Sequence, residues 1–308
     1  MMENAWTVVQ GLLIGVANVI PGVSGGTLAL VLGIYERLLR SIGALGLSTV
    51  RAFFGLVSAP GRPERRRVFV EEWRRLDANW LLLLVGGAGA AILASSRLVA
   101  WLLKAHPAPT LAFFIGLILP SILVPYRLLE RRTWREALAC LAGVALLIGL
   151  ALVGPGTSGT GFGLLGLFLC GAVAISAMIL PGISGSYVLM VLGEYEHVLD
   201  AINHFDLLRL SVFALGCLVG LLSFVRLLNW LLRRHHAITL AFLIGLILGS
   251  LWVLWPFKVV PPGASLSAGA NVLPAALDAT VGWTVGAFVL GWIASLAVLA
   301  LGRRRGPA

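Results

Sequence analysis

Charge is scarce in this sequence. Asp, Glu, Lys and Arg make up 12% of its 308 residues, about half of what a soluble domain carries. With 59% hydrophobic residues and a mean hydropathy of +0.98, that scarcity excludes an ordinary soluble globule and indicates several membrane spans. Long polar stretches are missing too. None between apolar blocks exceeds about 45 residues, which excludes a large soluble catalytic domain. Cysteine is rare, and Cys140, Cys170 and Cys217 stand singly inside apolar runs. That argues against both a disulfide framework and a zinc site, and no metal or cofactor is expected. The opening MMENAW has no basic n-region, and no small-residue cleavage signal follows its apolar run, so no removable signal peptide is expected.

Acidic residues are outnumbered, 13 against 23 Lys and Arg, for a net charge of +10. The distribution of that charge speaks against nucleic acid. Nine basic residues lie between Arg37 and Arg75, four between Arg127 and Arg135, two at Arg233 and Arg234, and three at Arg303 to Arg305. Each cluster abuts an apolar segment, as cytoplasmic loops do under the positive-inside rule. Within the first cluster, Phe69, Trp73 and Leu76 recur at helical spacing among Arg65, Arg66, Arg67, Arg74 and Arg75. This pattern predicts an amphipathic helix lying on anionic lipid headgroups.

Eight apolar blocks follow one another, most of them long enough for a helix to cross roughly 30 Å of hydrocarbon. They divide into two similar halves. Ala17-Asn-Val-Ile-Pro21-Gly22-Val-Ser24-Gly25-Gly26 matches Ala177-Met-Ile-Leu-Pro181-Gly182-Ile-Ser184-Gly185-Ser186 at an offset of 160. Each stretch closes on Gly-x-Tyr-Glu, with Tyr35-Glu36 and Tyr195-Glu196. At an offset of 129, Arg97-Leu-Val-Ala-Trp101 meets Arg226-Leu-Leu-Asn-Trp230, and 110–119 meets 239–248. The chain is a duplicated four-block unit.

Proline removes a backbone donor and glycine loosens a helix, so each Pro-Gly-x-Ser-Gly block is either a broken span or a re-entrant hairpin. Charge separates the two. Re-entrant blocks put 18 basic residues inside and only Lys104, Arg209 and Lys258 outside. Spanning blocks leave 15 inside and six outside. The positive-inside rule favours the first arrangement. The expected fold is therefore an all-α polytopic membrane protein of two inverted repeats, each a re-entrant broken-helix hairpin plus three transmembrane helices. The first repeat covers 1–153, with a re-entrant segment at 5–36, a basic cytoplasmic loop at 37–79 and spans at 80–103, 108–126 and 137–153. The second covers 162–302, with a re-entrant segment at 162–193 and spans at 210–232, 237–257 and 281–301. Inverted repeats with broken helices near the midplane are a plan of secondary transporters.

A half-helix that begins in small residues presents backbone N–H groups and a dipole to an anion, and Ser24, Thr27 and Ser184 add hydroxyls. The competing reading is that these small residues only let helices pack closely. Arg97 and Arg226 are repeat-equivalent and lie well inside their blocks, where an Arg faces a cavity or a partner unless it snorkels to the interface. Guanidinium suits phosphate through its planar fork. Two Arg and two half-helix N-termini read as an anion-binding centre. Glu36 and Glu196, beside Tyr35 and Tyr195, fit neutralisation of Arg, carriage of a coupling proton, or a plain solvated helix end. His106 and His235, Trp101 and Trp230 read as interfacial anchors and packing.

At the paired segments 17–27 and 177–186, each with its closing Gly-x-Tyr-Glu, the chain resembles the bacterial PopT-type polyprenyl-phosphate transporters over nearly its whole length. The charge distribution puts both termini inside, and the resemblance implies a cytoplasmic-membrane protein that returns undecaprenyl phosphate from the outer to the inner leaflet. It implies that Pro21, Gly22, Ser24, Gly25, Gly26, Thr27, Pro181, Gly182, Ser184, Gly185 and Ser186 form the headgroup region. The second copy departs from the first at Ser186 and Tyr187, so the two need not bind equally. The expected partners are the lipid substrate, membrane lipids and a proton or sodium ion. Two rivals stand beside this reading. A transporter or channel for a small inorganic or phosphorylated anion would use the same donors. Gly-x-Ser-Gly also occurs around the nucleophile of rhomboid-type intramembrane proteases, but all five His lie near predicted span ends, away from a Ser that would need a base, so no enzyme is expected.

Overall fold

The structure, a computed structural model, describes residues 2–19, 24–59, 61–129, 133–153, 163–260, 269–274 and 276–303. Helices account for nearly all of it. The first half runs through α1 (Met2–Asn18), α2 (Gly25–Val31), α3 (Tyr35–Gly43), α4 (Leu47–Ser58), α5 (Pro63–Arg75), α6 (Ala78–Ala105), α7 (Pro107–Ile118), α8 (Leu123–Arg127) and α9 (Trp134–Val153). A 3-10 turn, Leu119–Ile122, joins α7 to α8. The second half runs through α10 (Gly163–Ile179), α11 (Gly185–Val191), α12 (Tyr195–Asn203), α13 (Leu207–Arg234), α14 (His236–Val253) and α15 (Ala279–Arg303). Between α14 and α15, Lys258 and Val259 pair antiparallel with Asn271 and Ala270. Sequence alone carried the seventh block to residue 257. The helix stops at Val253 because Pro256 disfavours helical backbone at the residue before it.

Among the described residues, six helical stretches are long and apolar enough to cross a bilayer: α6, α7 with α8, α9, α13, α14 and α15. The pair α3 and α4, bent by 64°, raises the number to seven if it counts as one span. The chain is an all-α polytopic membrane protein. Its duplication extends to the backbone. The sets α1, α2, α3 and α10, α11, α12 share lengths of 17, 7 and 9 residues, and α6 and α13 are both 28 residues long. Gly33 and Gly193 make the same left-handed turn, with φ of 71° and 73°.

Among the described residues, four helix pairs carry most of the packing: α1 on α6, α10 on α13, α9 on α14 and α7 on α15. The last two cross the halves. Glycines bring the backbones together, as membrane helices require where hydrophobicity alone does not drive association. A Cβ on Gly245 would fall 2.0 Å from the Cys140 carbonyl oxygen, and one on Gly291 2.0 Å from that of Phe113. Contact points also set direction. Gly11 meets Leu84 and Ala88 while Gly15 meets Ala88 and Ala91, so α1 and α6 run the same way. Phe168 meets Gly216 and Ala172 meets Gly220, giving α10 and α13 a shared direction, and Cys140 with Gly245 and Val144 with Gly249 do the same for α9 and α14. The repeat-equivalent spans at α7 and α14 are about half-buried, whereas the other four are less than a quarter buried. The core centres on these two and on α2.

The basic segment after α3 is a helical hairpin. Leu47, Phe53, Phe54 and Val57 leave an apolar face of α4 exposed, and α5 has no buried residue. Glu72 staples the two, accepting from Ser48, from Thr49 at 2.6 Å and from Arg75. The Arg75 guanidinium and the two hydroxyls hold the Glu72 carboxyl below the usual carboxylate range. A depressed native pKa stabilises the hairpin above the unfolded value of about 4.3, and this support is lost as pH falls through the lower native value. Protection of the α4 and α5 amides, relative to their intrinsic exchange rates, is therefore expected to fall under acid and, in Glu72→Gln, to be low already at neutral pH. Equal protection in both proteins at every pH would refute the staple.

Candidate functional site

Pro181 supplies no N–H, so α10 ends at Ile179 with orphan carbonyls inside an apolar core, where they must find donors. The first copy of the motif provides them. Ser24 Oγ donates to the Leu180 carbonyl at 3.0 Å, and the Tyr35 hydroxyl donates to that of Ile179 at 3.1 Å. In return the Gly182 N–H donates to Thr27 Oγ1 at 2.8 Å and to Ser24 Oγ at 3.2 Å. Gly26 makes the approach possible, since a Cβ there would lie 2.4 Å from the Ile179 carbonyl oxygen. Ser24 and Thr27 are 2% and 0% exposed. Two segments about 155 residues apart in sequence thus join through hydroxyl-to-backbone bonds.

Among the described residues of the first copy, two of the amides expected to be free are bound. The Gly25 N–H donates to Asn18 Oδ1 at 2.8 Å, and that of Thr27 donates to Ser24 Oγ, which caps α2. Pro21 and Gly22 themselves lie outside the described residues. The second copy is different. Met178 replaces the capping Asn18 and Tyr187 replaces Thr27. Ser184 makes no side-chain cap and instead pairs with the Ser186 hydroxyl at 2.8 Å. Pro181, Gly182 and Gly185 are buried, Ser184 is half-buried and Ser186 exposed. The Tyr187 hydroxyl reaches back to the Leu150 carbonyl. Among the described residues, a side chain caps the short helix of the first copy and none caps that of the second.

The charged residues sit elsewhere. Arg97 and Arg226 each precede the end of their helix by eight residues, about 12 Å. Both are exposed from the protein. Arg226 donates to the Leu45 carbonyl at 2.8 Å, fastening α13 to the turn after α3. Arg97 makes no hydrogen bond or ion pair with a described residue. Neither guanidinium bonds to a described residue of the Ser-Gly segments. Glu36 meets His236 Nε2 at 3.2 Å, not an Arg. Tyr195 is half-buried and Glu196 exposed. His106 and His235 occupy equivalent junctions, each edge-on to its Trp, at 5.7 Å from Trp101 and 6.0 Å from Trp230.

Sequence reasoning passed over Asn18, Asn229, Glu194 and His236. Asn229 donates to the Leu39 carbonyl at 2.8 Å, one turn from Arg226. A usable signal was present: each is a polar residue within or at the edge of an apolar block, where it needs a partner.

Comparison with known proteins gives the family. The model of the VCA0040-like family, described as undecaprenyl phosphate translocase-like, matches residues 14–272. A polyprenyl-phosphate transporter of Vibrio cholerae is 39% identical over 271 residues, 88% of this chain and 84% of the relative. A polyprenyl-phosphate transporter of Staphylococcus aureus is 32% identical over 275 residues, 83% of this chain and 88% of the relative. No solved structure matches the chain. With a family match across most of its length, and two relatives aligned nearly end to end, the chain belongs to the VCA0040-like, undecaprenyl phosphate translocase-like family.

Proposed function

We infer that this protein moves undecaprenyl phosphate between the leaflets of the bacterial cytoplasmic membrane, holding the phosphate headgroup where the two Pro-Gly-x-Ser-Gly segments meet. Family membership supports the substrate class. The observation that carries the site is the cross-repeat junction itself, in which Ser24 and Thr27 bond the backbone at Leu180 and Gly182 within the apolar core. Beside it stand Ser184, Gly185 and Ser186 of the second copy, with N–H and hydroxyl donors suited to a phosphate. Arg97 and Arg226 supply positive charge on the path of the headgroup, and Glu36 and Glu196 remain the acidic ends of the two motifs. The isoprenoid tail stays in hydrocarbon throughout.

Alternating exposure of this centre by two inverted repeats, 1–153 and 162–302, is the mechanism we assign. Helix directions support it. Because α1 runs parallel to α6, the chain must return to its starting face between them, as a re-entrant α1–α2 segment does. Consecutive spans that each cross the bilayer must alternate in direction, so α9 shares the direction of α6. The packing of α9 gives α14 that direction as well, and the junction at His235 sets α13 against it. The basic segments then gather on one face with both termini, the cytoplasmic face by the positive-inside rule.

Liposomes containing the purified protein test the reading directly. The wild type is expected to move undecaprenyl phosphate across the bilayer. Arg97→Ala and Arg226→Ala are each expected to slow it about tenfold, the worth of a charge-assisted hydrogen bond. Undiminished movement in both variants would relocate the headgroup site to the Ser-Gly segments alone. Uptake of inorganic phosphate without lipid movement would replace the substrate class.

A further inference from the structure

We propose that α4 and α5 form a two-layer anchor on the cytoplasmic leaflet, with α4 sunk among acyl chains and α5 above it holding the headgroups of anionic phospholipids. The choice of leaflet rests on the orientation read above; the contacts that build the anchor do not. Sequence alone placed an apolar stripe of α5 on the lipid. The structure turns most of that stripe into the protein. Leu76 is buried, and Phe69 and Trp73 are half-buried with their rings 5.4 Å apart. Lipid contact falls instead to α4, where Leu47, Val50, Phe53, Phe54 and Val57 are each at least half exposed.

Helix geometry sets this apolar face opposite the partner helix. Those five residues fall within about 120° of the α4 circumference, and Ser48, Ala52 and Gly55 occupy the other side. Ser48 donates to Glu72 of α5 at 3.1 Å, Ala52 is buried, and a Cβ on Gly55 would lie 3.1 Å from Nη1 of Arg65 on α5. The second helix therefore rides on the side of α4 away from the apolar face. Packed helices lie about 8–10 Å apart, and an interfacial helix sinks its apolar face about 5–10 Å into the boundary. Together these distances put α5 at the level of the headgroups.

The tie to α13 gives the same depth independently. A helix of 28 residues is about 42 Å long and overruns about 30 Å of hydrocarbon by about 6 Å at each end. Arg226, about 12 Å from the end of α13, then stands about 6 Å below the cytoplasmic boundary, where it holds the Leu45 carbonyl just before α4 begins. The hairpin returns to the same turn, since Arg75 at the end of α5 donates to the Ala44 carbonyl at 2.6 Å. The 12 residues of α4 reach about 18 Å, too short to cross, so the helix lies along the boundary at which it starts. Charge names the lipid. Arg67 pairs with Glu71, Arg75 with Glu72 and Arg37 with Asp77. Between Leu47 and Asp77 this leaves Arg51, Arg62, Arg65, Arg66 and Arg74 against the one acid Glu64. By helical spacing, Arg62, Arg65 and Arg66 share the α4-facing side of α5 with Phe69 and Trp73, the side nearest the leaflet. Their planar forks suit phosphodiester headgroups.

Quenching of one fluorescent side chain in lipid nanodiscs tests both layers without any transport step, so its failure is separate from a failure of the translocation reading. With dansylalanine in place of Phe54, acyl chains brominated near the carbonyl are expected to quench most, chains brominated near the methyl end less, and aqueous iodide least. Val57 takes the probe if the first variant fails to accumulate. Brominated phosphatidylglycerol is expected to compete for the site at least about fivefold better than brominated phosphatidylcholine, the factor that one Arg near an anionic surface supplies. Arg62→Gln, Arg65→Gln and Arg66→Gln combined should bring that preference close to one while melting stays native. If the triple change disturbs melting, Arg66→Gln alone is read and should reduce the preference severalfold. Quenching led by iodide, or by bromine at the methyl end, overturns the assignment, as does a preference that survives the loss of these arginines. A probe shielded from bromine and iodide alike, in a complex of doubled mass, puts a second copy of this chain on the face and overturns it too.

Discussion

Ser24→Ala combined with Thr27→Val is expected to slow undecaprenyl phosphate movement at least tenfold and to lower the melting temperature by several degrees. The two hydroxyls are the partners of the Gly182 N–H and the Leu180 carbonyl. Removing both leaves a donor and an acceptor buried in an apolar core, where each unsatisfied group costs about 1–3 kcal/mol. The single changes separate the contributions. Thr27→Val keeps the shape of the side chain and leaves the Gly182 N–H its longer bond to Ser24. Ser24→Ala removes the donor to Leu180 and also the N-cap of α2, worth about 0.5–2 kcal/mol. Transport and thermal unfolding should be read on the same preparations. A double variant that melts and transports like the wild type would show that the junction neither holds the two copies together nor shapes the site.

The second large effect is expected at the helix crossings that tie the halves together. A methyl on Gly245 would lie 2.0 Å from the Cys140 carbonyl oxygen, and one on Gly116 2.1 Å from that of Phe288. The obstructing atoms belong to helix backbones and cannot swing aside, so α14 must leave α9, or α7 must leave α15. Overpacking costs about 1–3 kcal/mol where neighbours yield, and the upper end applies here. Gly245→Ala and Gly116→Ala should each lower the melting temperature by several degrees. Gly245→Leu should abolish accumulation of folded protein in the membrane. Gly149→Ala, on α9 with open space around it, should be harmless or stabilising by up to about 1 kcal/mol, since alanine is the better helix former. Equal melting of Gly245→Ala and Gly149→Ala would mean that the crossings are looser than the structure has them.

Much of this protein was written locally. Span length, the paucity of charge, the Pro-Gly breaks and the duplication of both blocks all follow from rules that act over a few residues. Proline lacks a donor wherever it stands, and a bilayer asks for about 20 apolar residues in every helix that crosses it. Those rules placed the breaks at 21–22 and 181–182 and marked Arg97 and Arg226 as an equivalent pair. They also marked Ser186 and Tyr187 as the place where the copies diverge.

What the sequence could not decide depends on which surfaces meet. Lipid-facing and protein-facing sides of these helices are both apolar, so no hydrophobic pattern announces that α9 packs on α14 and α15 on α7. Glycines spaced to fit a particular carbonyl settle that, and their fit exists only once two helices are side by side. The Gly25 amide looked available until the fold brought Asn18 to it. The Arg226 guanidinium gained the Leu45 carbonyl as a partner only once the turn after α3 lay beside α13. No local pattern singled out Glu194, and only tertiary packing buried it against His197. Local backbone chemistry was fixed by residue type along the chain. The partners of its polar groups were chosen by contacts between residues far apart in sequence, because in an apolar medium each of those groups must find a partner wherever the fold supplies one.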